Sequence, residues 1–193
     1  MLSFVTIIAC GGEGKRFGSD KADATLGDVT LMNRAVAIAR GFGGPLAIAT
    51  RSGARTQRND LPLLIDRQGG LGPIAALESA FAFAQAQGSS HALLIACDQP
   101  FLPADLARRL TLAIGDHGVA MPVSNGHDQN MAALWRVDGA MLGDYIAGGG
   151  RSLWGFAERV GMTRVDWGGA AADPFADVDT PGDLEAARIR IAE

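Results

Sequence analysis

The chain has 193 residues, 48% of them hydrophobic and 20% charged, with a formal net charge of −4. That length fits one domain with a sizeable core. The acidic balance excludes broad, sequence-independent nucleic-acid binding, which needs a basic face, yet leaves room for a compact basic phosphate pocket.

An apolar run over residues 2–10 opens the chain, too short and too poor in basic residues for a signal peptide, and runs straight into glycines. It reads as a first strand over 4–9. No run approaches the ~20 apolar residues of a membrane span. Cys10 and Cys97, the two cysteines, read as small buried packing residues, without the ligand number of a zinc site or the spacing of a disulfide framework. A soluble, cytoplasmic protein is expected.

The first strand empties into Ala9-Cys10-Gly11-Gly12-Glu13-Gly14-Lys15-Arg16-Phe17-Gly18-Ser19-Asp20-Lys21. Glycines let backbone N–H groups approach an anion closely, and Arg16 and Lys21 are placed to neutralise phosphate oxygens. A Walker A loop needs Ser or Thr after its Gly-Lys, where this chain has Arg16. A dinucleotide fingerprint needs a third glycine where Phe17 stands.

Helical periodicity follows over 31–41, 74–87 and 103–114, alternating with short apolar runs at 45–50, 63–65, 92–96 and 119–121. Such alternation predicts an α/β fold with a mainly parallel sheet covered on both faces. Asp66, after the run at 63–65, suits a contact to a ribose or base, or equally a turn cap. Asp98 follows a central strand at the edge where α/β sheets bind ligands, and a hard carboxylate there suits Mg²⁺; its competing role is a turn residue before Pro100.

From 124 to 177 the rhythm breaks. Strands are expected at 131–136, 163–167 and 175–178, and short helices at 140–147 and 152–159, before a closing helix at 181–191. This late insertion reads as an acceptor-side wall or as a structural excursion. The whole of 1–193 is expected to be a single domain. Asp179 or Thr180 suits a cap for the last helix, with Pro181 at its first position. His91, His117 and His127 share no ligand spacing and read as surface or loop residues, His127 also suiting a substrate-facing place. Arg151 reads as a solvated loop cation or an acceptor contact, and Trp135, Trp154 and Trp167 as core or wall.

Four segments together resemble the molybdenum cofactor guanylyltransferases over nearly the whole chain. Gly11, Gly12, Arg16, Phe17, Gly18, Asp20 and Lys21 fill a loop signature L-A-G-G-x-x-x-R-M/F-G-x-D-K, with Cys10 in place of the usual alanine. Asp66 with Gly72-Pro73, Cys97-Asp98-Gln99-Pro100 and Asp179-Thr180-Pro181-Gly182-Asp183-Leu184 resemble three further motifs, the last with Asp179 where the family has Asn. Residues 125–130 and 148–152 resemble the family's molybdopterin-side regions loosely.

The resemblance implies a three-layer α/β/α Rossmann-like fold of the nucleotide-diphospho-sugar transferase type. It implies transfer of GMP from GTP to molybdopterin with release of pyrophosphate, and Mg²⁺ as cofactor. Arg16, Lys21 and Asp98 are the implied catalytic residues. Ala9, Cys10, Gly11, Gly12, Lys21, Asp66, Gly72 and Asp98 would bind nucleotide, and Asp98, joined by Asp179, would hold metal. Gly11 matches the guanylyl rather than the cytidylyl branch. A monomer or weak oligomer is expected, with GTP and molybdopterin as partners, no nucleic acid or membrane, and transient contact with cofactor-biosynthesis proteins or molybdoenzymes. The alternatives are a cytidylyl or other small-molecule nucleotidyltransferase of the same fold, and a nucleotide-binding module without turnover.

Overall fold

Strand β1 (Phe4–Cys10) lies inside the sheet, with β4 (Leu46–Thr50) and β6 (His91–Ala96) parallel to it on either side. The computed structural model describes residues 2–10, 21–50, 60–65, 71–168 and 172–192. Between β1 and β4 lie a two-strand hairpin, β2 (Thr25–Leu26) and β3 (Val29–Thr30), and helix α1 (Leu31–Phe42). Strand β5 (Leu63–Ile65) extends the sheet beyond β4, and α2 (Pro73–Ala86) returns the chain to β6.

Helix α3 (Leu106–Ala113) leads to β7 (Val119–Ser124), whose short partner β8 (His127–Asp128) turns back on it. A 3-10 turn, Asn130–Ala132, then feeds β9 (Leu134–Arg136), which runs antiparallel between β6 and β7. Helices α4 (Gly139–Ala147) and α5 (Leu153–Val160) precede β10 (Met162–Asp166), parallel to β7, and α6 (Pro181–Ala192) closes the order. Among the described residues the sheet reads β5-β4-β1-β6-β9-β7-β10, with β8 on β7.

The two-residue period of the strands sorts their side chains into two cores. Val5 and Ile7 of β1 face a layer holding Ile74, Leu77 and Phe81 of α2, Leu142 of α4 and Phe156 of α5. Ile8 and Cys10 face the opposite layer, with Met32 and Ala35 of α1 and Leu106 and Leu110 of α3. Trp135 stacks on Phe156 with centroids 5.8 Å apart, and Phe81 meets the same ring edge-on at 6.4 Å. The three-layer α/β fold expected from the alternation is the observed one. Cys10 and Cys97 are both buried and unoxidised, as expected of packing residues.

Some expectations give way. Residues 175–178 form no strand: their backbone bonds to the loop after β6, with Gln99 Nε2 donating to Phe175 O (3.2 Å) and Val178 N–H to Asp98 O (2.9 Å). Helix α3 starts at Leu106 rather than 103, because Leu106 N–H bonds to Pro103 O (3.0 Å) in a preceding turn. The run at 131–136 splits into the 3-10 turn and β9. Arg151 is exposed in its loop, as a solvated cation would be, and is also anchored: its Nη1 donates to Ile146 O (2.9 Å) and Gly150 O (2.7 Å) at the end of α4. Trp135 and Trp167 are buried, whereas Trp154 is 42% exposed.

His91 is the clearest correction. It opens β6 between Phe4 and Arg136 and is buried, not on the surface. Its Nδ1 lies 2.8 Å from Ser90 Oγ, and Nε2 is buried with no hydrogen-bond partner. Burial, with the nearby Arg136 charge adding to it, lowers its pKa to about 4 from 6.5. Between those values the unfolded chain binds a proton that the native protein does not, so stability falls as pH falls. Urea unfolding across that range should show a loss near 1 kcal/mol per pH unit from this residue. His91→Gln should flatten the slope.

Gly118, just before β7, packs against the end of α5. A Cβ there would overlap Val160 and lie 2.6 Å from its carbonyl oxygen, a backbone atom that cannot step aside. Gly118→Ala is expected to cost about 1–3 kcal/mol through overpacking, read as a lower urea midpoint with unchanged slope.

Candidate functional site at the carboxyl edge of the sheet

Because β1, β4 and β6 are parallel, their carboxyl ends open on one edge, the edge where α/β sheets bind ligands. Ala9 is level with Ala96, and Cys97 N–H bonds to Ala9 O (3.2 Å). The start of the glycine loop and the approach to Asp98 are thereby held side by side. Cys10 turns its side chain inward, its Sγ 3.8 Å from Met32 Sδ, so only its backbone faces the edge. That explains why cysteine substitutes for alanine there.

Gly72 is brought to the same edge by the crossover from β5 into α2. It adopts φ +68°, in the region that favours glycine, and a Cβ would meet nothing within 4 Å. The backbone conformation, not crowding, is what selects glycine. Helix α2 begins here with Pro73 in its first turn, no side-chain cap and no acidic residue in that turn. Uncapped N–H groups at a helix start favour an anion.

Asp98 is half-buried just beyond β6. Its carbonyl accepts the Val178 N–H bond, so the backbone of Asp179 lies against it although the two residues are far apart in sequence. Of the two readings for the start of α6, the cap is Thr180. Its Oγ1 accepts Asp183 N–H (3.2 Å), while Asp183 Oδ2 accepts the N–H groups of Thr180 (2.7 Å) and Asp179 (3.0 Å). This reciprocal capping box fixes the turn and leaves Asp179 as the exposed residue on its outer side.

The donors this edge offers a metal are carboxylate oxygens. Among the described residues no group of three or more His, Cys, Asp or Glu could hold an ion. One or two carboxylates suit Mg²⁺, which keeps several waters and takes phosphate oxygens as its remaining ligands. In donor type alone, the carboxylates of Asp98 and Asp179 suit the ion that the sequence implied.

Gly11, Gly12, Arg16 and Asp66 lie outside the described residues. Lys21 opens a 3-10 turn, Lys21–Asp23, its side chain also outside them.

A clamp around 173–179 escaped the sequence reading. Asp173 Oδ1 accepts Ser124 Oγ (2.8 Å) and Phe175 N–H (2.9 Å), and Asp173 O accepts Arg190 Nη1 (2.7 Å). Arg190 lies 3.8 Å over the Phe101 ring, and Phe175 meets Trp167 edge-on at 5.5 Å. Asp173-Pro174 is an Asx-turn signal that could have marked the hub.

Farther along the edge Arg164 grips both oxygens of Asp128 at 2.8 Å, and Trp154 Nε1 donates to Oδ2 (3.3 Å). The Arg164 bonds first, with Trp154 adding and burial opposing, hold the Asp128 carboxyl below the usual carboxylate range. His127, also exposed, sits beside Asp128 on β8.

The MobA-like NTP transferase domain matches residues 6–159. A molybdenum cofactor guanylyltransferase of Acidiphilium cryptum is 36% identical over 94% of this chain and 92% of its own length. A protein of the same name from Rhodobacter capsulatus is 34% identical over 97% and 96%. The solved molybdopterin-guanine dinucleotide biosynthesis protein A of Archaeoglobus fulgidus superposes with a TM-score of 0.74 at 18% identity, covering 98% of each chain. A 2-C-methyl-D-erythritol 4-phosphate cytidylyltransferase from Thermus thermophilus shares the fold at a TM-score of 0.68, 18% identity and 100% of each chain. With the matched domain spanning most of its length and relatives above 30% identity over nearly all of it, this chain belongs to the MobA-like NTP transferase family.

Proposed function

We propose that this protein transfers GMP from GTP to molybdopterin and releases pyrophosphate, with Mg²⁺ held by Asp98 and Asp179. The observation that supports the reading is the Val178–Asp98 backbone bond, which brings the chain next to Asp179 up to Asp98 from a distant part of the sequence. The names of the relatives give the nucleotide and the acceptor.

The terminal phosphate oxygen of the acceptor attacks the α-phosphorus of GTP in line. A new P–O bond forms as the bond to the bridging oxygen breaks, and pyrophosphate leaves with that electron pair. The attacking oxygen is already anionic, so no strong general base is required. Positioning and charge neutralisation carry the rate. When bound, Mg²⁺ supplies positive charge to the phosphate oxygens.

Asp98 and Asp179 would hold the ion, and the Thr180–Asp183 cap fixes the backbone at Asp179. The backbone at Gly72 and the uncapped start of α2 face the nucleotide's anionic portion. Arg16 and Lys21 offset the charge gathering on the leaving pyrophosphate. Gly11, lacking a Cβ, leaves room for the purine. The segment from β8 to β10 forms the acceptor wall.

Pyrophosphate release with Mg²⁺ and molybdopterin, compared across GTP, CTP, ATP and UTP, tests the reading. GTP preference is expected; release with CTP alone would reassign the base. Asp98→Asn should lower kcat by about 10²–10³ in a protein whose melting temperature is unchanged, and so should Lys21→Ala. Chelation of divalent ions should abolish release, and Mg²⁺ should restore it.

A further inference from the structure

The two cysteines occupy facing places at the carboxyl edge. In the parallel ladder of β1 and β6, Ile8 pairs with Ile95 and Ala9 with Ala96. One residue further on, Cys97 N–H bonds to Ala9 O (3.2 Å), as the next rung of a parallel ladder does, so Cys10 and Cys97 stand opposite one another. The two-residue alternation sends both side chains to the face of Ile8 and Ile95, and both are buried in that layer, with α1 and α3.

Neighbouring strands are about 4.8 Å apart, within the roughly 4.4–6.8 Å that separates the Cα atoms of a disulfide. Both residues are thiols in this structure. Closing the bond asks that their Cβ atoms, which project side by side, draw together. The Cys10 Sγ contact to Met32 Sδ (3.8 Å) is a weak donation that costs little to give up. A bond closed under that pull is strained, and strained disulfides are the readily reduced ones, suited to reversible control rather than to holding a fold. Ile8 and Ile95, two residues further in, are fully buried, whereas Cys10 and Cys97 keep 5% and 7% exposure at the rim of the layer, within reach of a small oxidant. Packing alone does not call for sulfur at position 10, the place that alanine fills in the loop signature.

We propose that Cys10 and Cys97 form a reversible disulfide that switches the site off; the effect on turnover rests on the nucleotidyltransferase reading above, and the bond itself does not. The oxidant is a small peroxide. One thiolate attacks a peroxide oxygen of hydrogen peroxide: an S–O bond forms, the O–O bond breaks, and the hydroxide that leaves is protonated to water. The second thiolate attacks that sulfur: the S–S bond forms, the S–O bond breaks, and a second water leaves. Two thiols and one peroxide give one disulfide and two waters, the peroxide taking both electrons. A dithiol reverses the step by exchange. Cys10 leads directly into the glycine loop and Cys97 into Asp98, so drawing them together displaces the starts of the two loops assigned to the nucleotide.

The test treats the folded protein with hydrogen peroxide and reads intact mass, the Cys10–Cys97 cross-linked peptide and pyrophosphate release, before and after dithiothreitol. Wild type should lose two hydrogens in mass, yield that peptide within a single chain, and release pyrophosphate about 10-fold more slowly, all restored by dithiothreitol. Cys97→Ser should keep its own untreated rate after peroxide, and Cys97→Ala takes its place should the serine variant fail to fold. Thiols that stay reduced in the folded wild type and pair only in urea overturn the proposal, as do single-sulfur oxidation products or a bond between two chains. An equal loss of rate in Cys97→Ser overturns it too, because the damage then lies elsewhere. A bond that forms and leaves turnover unchanged overturns the switch. If wild type is inert with every nucleotide and acceptor, the nucleotidyltransferase reading falls, and mass and peptide still decide for the disulfide.

Discussion

Parallel pairing of β1 with β6 is the constraint on which the rest depends. Parallel strands share a direction, so the loops leaving their carboxyl ends share an edge, and the Cys97–Ala9 hydrogen bond sets the two loops level with one another. Asp98 follows β6 at that edge, and Gly72 leads α2 from it. The α2 layer beneath it is unusually rich in alanine, with Ala75, Ala76, Ala80 and Ala84 buried against the sheet. Small side chains let the helix lie close, and that seats its uncapped start against the ends of β1 and β4.

The elements legible in the sequence were those whose pattern is set locally. Strand β1, helix α2 with its leading Gly72-Pro73 and the capped start of α6 follow from periodicity and cap chemistry. What could not be read was set by distant partners. Phe175 to Val178 has the apolar look of a strand, but its backbone groups are taken by Gln99 and by Asp98, and no ladder is left for it. His91 looks like a loop residue because only the pairing of β6 with both β1 and β9 buries it.

The site divides in the same way. Asp98 and Gly72 were visible because a carboxylate after a central strand and a glycine before a proline-led helix carry their reasons with them. Asp173 was not, although its turn signal is local, because its importance comes from Ser124 and Arg190 converging on it.

The Asp98–Val178 hydrogen bond also sets an order of assembly. It joins residues separated by about two-fifths of the chain, with α3, β7, β8, β9, α4, α5 and β10 between them. Closing so long a loop is entropically costly and slow, so it comes after the local helices and the central strands have formed. A chain emerging from the ribosome presents its glycine loop and Asp98 long before Asp179 exists to join them. The Asp98–Val178 contact is completed only when the segment before α6 docks, and a partly made chain carries half of the proposed metal site.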